Sequence, residues 1–148
     1  GVDLDHLSLQ YGKTINEAAA FLRSEIQALP FKDEVFDMIL CSGVIHEVKN
    51  VKERKRALQE FARVLKADGQ LYIIDAFTIC KFVNIFTRLL QYIPKLEIEW
   101  IFHRQQLENM LKENEFRITS VEKGGSRALG TITMYAITAI KSQGSLHS

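Results

Sequence analysis

The chain has 148 residues, 47% of them hydrophobic and 25% charged, a globular composition that excludes a disordered, collagen-like or low-complexity protein. That length holds one domain with a real core but not comfortably two. With 19 Lys and Arg against 18 Asp and Glu, the net charge is only +1, so no strong basic field exists to hold a polyanion and no nucleic-acid partner is expected.

The text opens Gly1-Val2-Asp3-Leu4-Asp5, which reads as the end of a strand. With neither an initiator Met nor a charged leader before an apolar run, no signal peptide is expected. Asp5 to Glu17 is polar and helix-tolerant, and Ala18 to Arg23 tightens into a short strand. Leu29 to Glu34 reads as a turn, because Pro30 has no N–H to give an inner strand. Phe36 to Cys41 is a mostly apolar run of the kind a parallel sheet buries on both faces, and Ser42-Gly43 breaks it.

The clearest predicted helix follows. Asn50 can cap it with Glu53 three residues on, and Leu58, Phe61, Ala62 and Leu65 then fall on one face. Asp68-Gly69 is expected to end it. The basic cluster Lys52, Arg54, Lys55 and Arg56 lies mostly off the apolar stripe and reads as a solvated face rather than an anion site. Leu71 to Ile74 is another buried strand.

Ile79, Phe82, Val83, Phe86, Leu89, Leu90 and Ile93 form a second helical stripe, stopped by Pro94. Lys81, Asn84 and Arg88 interrupt it, and it is too short to span a bilayer, so a soluble cytoplasmic chain is expected. His103 and Arg104 open a further helix carrying Leu107, Met110 and Leu111. Arg117 to Val121 and Thr131 to Ile140 read as a strand pair, with Gly124, Gly125 and Gly130 in the connection. Cys41 and Cys80 sit inside apolar runs with no disulfide or metal-ligand spacing, as buried thiols of a reducing compartment do. The whole predicts α/β layering with helices on both faces of the sheet, in one domain over residues 1–141, and a frayed tail from 142 to 148.

Ligands of open α/β sheets collect at the carboxyl ends of strands. Asp3, Glu25, Cys41 and Asp75 stand at such points. Two carboxylates at neighbouring strand ends suit a nucleoside: one accepts a ribose diol, the other an adenine amino hydrogen. Charged hydrogen bonds of that kind contribute roughly 1.5–3 kcal/mol each when water is excluded. The same acids also serve as ordinary helix caps or loop charges, the plainer reading for Asp75.

The order of the pieces narrows the choice. Gly1-Val2-Asp3-Leu4, then Glu25-Ile26-Gln27-Ala28-Leu29-Pro30-Phe31, then Phe36-Asp37, then Arg63-Val64-Leu65-Lys66-Ala67-Asp68-Gly69 occur in sequence. This ordered set resembles the class I S-adenosylmethionine-dependent methyltransferases, particularly the small-molecule group similar to the ubiquinone/menaquinone methyltransferases, over residues 1 to about 77. The resemblance implies a Rossmann-like sheet with a closing antiparallel pair, S-adenosylmethionine as cofactor and a small-molecule methyl acceptor. Carried over by position, Asp3 binds the ribose hydroxyls with Leu4 against the adenine, Glu25 faces the adenine amino group, Ile26 packs on the ring, and Cys41 offers backbone to the methionine moiety.

Two departures stand out. Glu25 occupies a position where the family usually has Asp. The family's glycine-rich turn, with its first strand and helix, has no counterpart before Gly1, so the chain is expected to be a truncated piece that binds cofactor poorly alone. The missing strand would leave inner edges open to self-association or to a partner chain.

His46, after the fourth family strand, is the candidate catalytic base; the competing reading has it packing over the cofactor pocket or capping the next helix. Glu47 reads as a helix-entry charge. The Ile79–Ile93 stripe with Trp100-Ile101-Phe102 falls where the family inserts substrate-covering elements and implies a hydrophobic acceptor, although core packing alone explains it. A catalytically inactive module supporting a partner chain is the second hypothesis. A nicotinamide-dependent oxidoreductase shares the acid after its second strand but explains Leu29-Pro30-Phe31 and Arg63-Val64-Leu65-Lys66 poorly.

Overall fold

A computed structural model of the protein describes residues 1–48, 50–78, 103–127 and 132–142. The expectations for Cys80, the Ile79–Ile93 stripe, Trp100-Ile101-Phe102, Gly130 and the final six residues lie outside these. In chain order the elements are β1 (Val2–Asp3), α1 (His6–Ile15), β2 (Leu22–Arg23), β3 (Phe36–Ser42), a 3-10 turn (Ile45–Glu47), α2 (Val51–Val64), β4 (Leu65–Thr78), α3 (Arg104–Glu113), β5 (Phe116–Arg127) and β6 (Ile132–Lys141).

Local chemistry starts the helices. The Asp5 carboxylate accepts from the N–H groups of Leu7 and Ser8 and from the Ser8 hydroxyl, satisfying donors that a helix start leaves without partners. Those bonds, the Ser8 hydroxyl first, hold the Asp5 carboxyl below its ordinary range. Asn50 Oδ1 likewise accepts from the Glu53 N–H at 2.9 Å and starts α2.

Four strands form one sheet in the order β3-β4-β6-β5. β3 and β4 are parallel, with Cys41 opposite Ile73, and α2 makes the connection between them. β6 runs antiparallel to both β4 and β5. Leu58, Phe61 and Ala62 of α2, Leu71, Ile73 and Phe77 of β4, Leu107, Met110 and Leu111 of α3, and Ile137 and Ala139 of β6 make one continuous core. Each large side chain removed from water there contributes about 1.5–3 kcal/mol.

β1 and β2 pair parallel in a separate two-stranded sheet. Among the described residues, no strand joins β1 to β3. The α/β expectation with a closing antiparallel pair therefore holds, and among the described residues the strands fall into two sheets.

That division corrects several local expectations. β3 is not buried on both faces: Met38 is 59% and Leu40 63% exposed, because among the described residues the strand pairs with β4 alone. The predicted strand at Ala18–Arg23 shrinks to Leu22–Arg23. α2 stops at Val64 rather than at Asp68-Gly69, and those two residues sit inside β4 where its register with β3 jumps, Phe36 facing Leu65 but Met38 facing Gln70. The left-handed φ of +61° at Asp68 turns the chain, and a Cβ on Gly69 would lie 2.8 Å from the Lys66 carbonyl oxygen. Gly124 and Gly125 lie within β5, at its register shift against β6, and not in the connection.

The basic cluster also divides. Arg54 is 5% exposed and its Nε donates to the Ile45 carbonyl at 3.3 Å, so it belongs to the interior rather than to a solvated face.

The contrast between β3 and β4 is measurable. Ile73→Ala is expected to lower unfolding stability in urea by about 2–5 kcal/mol through the cavity it leaves. Leu40→Ala, on the open side of β3, is expected to cost less than about 1 kcal/mol.

Candidate functional site

The divided sheet leaves a groove of about 710 Å³ between β1 and β3. Val2 and Asp3 of β1 form one side, and Met38 to Ser42 of β3 the other. Ile26, Leu29 and Phe31 of the loop after β2 wall it, together with Phe61 and Val64 of α2. A volume of that size suits a small-molecule ligand.

Asp3 lines the groove. Its Oδ1 also accepts from the Asp5 N–H at 2.9 Å, a bond that fixes the turn into α1. Ile26 and Cys41 line the same groove. Leu4 is 55% exposed and, like Glu25 and His46, stands outside the lining. The structure thus brings Asp3, Ile26 and Cys41 together and leaves Leu4, Glu25 and His46 apart from them. Burial, reinforced by the nearby Asp75 carboxylate, pushes the Cys41 thiol up to about 12, so it stays protonated at neutral pH and presents no thiolate to the groove.

The loop wall is held by one guanidinium. Arg63 of α2 donates from Nη2 to the Leu29 carbonyl at 2.9 Å and from Nη1 to the Phe31 carbonyl at 2.7 Å. It also pairs with both oxygens of Glu60 at 2.7 Å and with Asp33 at 2.8 Å. Glu60 in turn accepts the Leu29 N–H at 2.8 Å. A planar five-donor fork is the one side chain that can satisfy two carbonyls and two carboxylates together. The Arg63 hydrogen bonds, foremost among the causes, hold the Glu60 carboxyl below its ordinary value of 4.5.

At the other end of β3, the turn Ile45–Glu47 lies over Asp75 of β4. Asp75 is fully buried, so the loop or cap role expected from sequence is corrected. Its Oδ2 accepts the His46 backbone N–H at 3.2 Å, its Oδ1 accepts the Ala76 N–H at 2.7 Å, and the same Oδ1 pairs with His46 Nδ1. Sequence reading missed this pair because 29 residues separate its members; the available signal was a polar residue ending an apolar strand. Among the described residues no cluster of three metal-ligating side chains occurs, and no helix is long and apolar enough to cross a membrane.

Residues 1–73 match the profile of a methyltransferase domain family. Nearly half of the chain is thus similar to a methyltransferase domain. A Campylobacter jejuni ubiquinone/menaquinone biosynthesis C-methyltransferase is 33% identical over 75 residues, covering 51% of this chain and 31% of that protein. The human "Probable tRNA methyltransferase 9B" is 53% identical over 45 residues, 30% of this chain and 10% of that one. The crystal structure of an S-adenosylmethionine-dependent methyltransferase from Methanosarcina mazei superposes with a TM-score of 0.75 at 21% identity, covering 96% of this chain and 81% of that one. The chain thus spans no more than about a third of the length of the curated methyltransferases it matches.

In this methyltransferase fold the Arg63 network should hold the groove wall. Arg63→Met is expected to lower stability by about 1–3 kcal/mol and to raise amide exchange at Leu29. The sign of its pH dependence follows from Glu60: a carboxyl held low in the folded state stabilises above its unfolded value and loses that contribution as pH falls through the folded one. The gap between wild type and Arg63→Met in urea titrations should therefore be full at neutral pH and narrow below the ordinary carboxylate value of 4.5.

Proposed function

We propose that the chain serves S-adenosylmethionine-dependent methyl transfer to a small hydrophobic acceptor. The observation that carries this reading is Asp3: a carboxylate at the carboxyl end of a parallel strand, on the rim of an apolar-walled groove bounded by the end of β3.

The groove fits the adenosine end of the cofactor. Asp3 keeps Oδ2 for a ribose hydroxyl while Oδ1 holds the turn, Ile26 and Leu29 offer flat apolar walls to a base, and the backbone at Cys41 lies at the far side. Glu25, exposed and off the lining, is not needed for that contact. The cofactor supplies a methyl group already activated by its sulfonium leaving group, so the chain's own tasks are to align the acceptor, exclude water and take a proton. His46, paired with Asp75 of β4, is our candidate to take it from an oxygen or carbon acid. The small-acceptor reading is supported by the relative named for ubiquinone and menaquinone biosynthesis and by a net charge of +1, too small to gather a polynucleotide.

A second reading is a methyltransferase-like module without activity, completed by or supporting a partner chain. Among the described residues β1 pairs with β2 alone and β3 with β4 alone, which favours it, because unpaired strand edges invite pairing.

Calorimetric titration with S-adenosylmethionine separates the two. The methyltransferase reading expects binding that Asp3→Asn weakens about tenfold, near 1.4 kcal/mol, while Asp5→Asn, which keeps the cap, leaves it unchanged. No binding by a chain shown to be folded overturns that reading in favour of the module, and equal binding by wild type and Asp3→Asn overturns the role given to Asp3.

A further inference from the structure

We infer that Asp75 is a positioning residue that fixes the tautomer and orientation of the His46 ring, presenting Nε2 as its basic nitrogen. This deepens the methyl-transfer reading and rests on it for the catalytic meaning, but the geometry stands on its own residues.

Asp75 grips the His46 turn at two points. Oδ2 takes the backbone N–H at 3.2 Å and Oδ1 pairs with ring Nδ1, so translation of the turn and rotation of the ring are restrained by one side chain. The carboxylate itself cannot wander. It is fully buried, directly after the doubly paired stretch Gln70–Ile74 and opposite Tyr135 of β6, and the Ala76 N–H holds Oδ1 at 2.7 Å. A carboxylate so placed has no donor of its own, so the neutral ring must bring its proton to Nδ1. The imidazole is then basic at Nε2, the nitrogen on the far side from Asp75.

A buried carboxylate needs more than one partner. Arg54 of α2 supplies a nearby opposite charge: burial disfavours its charged form, the field of Asp75 opposes that, and its Nε holds the Ile45 carbonyl at the start of the same turn. Cys41 of β3 also faces the carboxylate and is kept as a neutral thiol. Glu47, next on the turn, is exposed. His46 is thus set between a strand that fixes one ring nitrogen and a helix cation that steadies its backbone. A packing histidine needs neither restraint.

The tautomer is readable by long-range proton–nitrogen NMR on the full chain with labelled histidine, above the pH at which the ring loses its second proton. His46→Gln identifies the His46 signals among those of the 4 histidines. The wild-type chain is expected to show the Nδ1-protonated pattern at His46 as the dominant form, more than about tenfold over the other. Asp75→Asn is expected to reduce that preference at least severalfold, and Asp75→Glu to restore part of it.

An Nε2-protonated His46 in the wild-type chain overturns the inference. So does an unchanged preference in Asp75→Asn. If Asp75→Asn fails to fold, the wild-type spectrum alone still decides. No cofactor or acceptor enters the measurement, so its failure is distinct from failure of the methyl-transfer reading.

Discussion

The structure depends on the double pairing of β4. From Gln70 to Ile74 its backbone is committed on one side to β3, parallel, and on the other to β6, antiparallel, so the height of each of these residues is set twice, and Asp75 follows directly on them. Helices α2 and α3 pack on the face that Leu71, Ile73 and Phe77 present. A strand fixed this firmly can hold a buried carboxylate at a chosen position. Asp75, opposite Tyr135 in the register, is that residue, and its desolvation cost is offset by three hydrogen bonds and the charge of Arg54.

Arg63 performs a related task on the other side of α2. A helix, a turn and a groove wall are joined through one guanidinium that reaches Glu60, Leu29, Phe31 and Asp33. The two sequence pieces that occur together, Leu29-Pro30-Phe31 and Arg63-Val64-Leu65, are therefore in contact in space. The arginine replaces donors that an irregular loop cannot find in its own backbone.

Much of this was legible beforehand. The α2 cap and stripe, the turn at Leu29–Glu34 and the parallel run at Phe36–Cys41 follow from local rules, and the structure holds them. The misreadings share one cause: local rules assume neighbours. Met38 and Leu40 have the composition of an inner strand, yet their exposure is decided by which strand lies beside them. Arg54 belongs by type on a wet face, and the 3-10 turn, whose Ile45 carbonyl accepts from its Nε, helps to draw it inside. Asp68-Gly69 carries the usual helix-stop signal, and the pull of β3 on Leu65 ended the helix first. For the site, Asp3 and Cys41 could be placed through strand ends and Ile26 through the family resemblance, while the His46–Asp75 pair needed the fold, since nothing in the residues between them marks their meeting.

The separation of β1, α1 and β2 from the larger sheet has a thermodynamic consequence. α1 buries none of its residues, and Leu7, Tyr11 and Ile15 along it are each about 70% exposed. The opening residues are tied to the remainder chiefly by the loop that Arg63 clasps and by the apolar sides of the groove. A segment so lightly anchored forms its own cooperative unit, able to open while the larger sheet stays folded. Any molecule that bridged the two sides of the groove would couple those units into one transition, and its affinity would be diminished by the work of holding them closed.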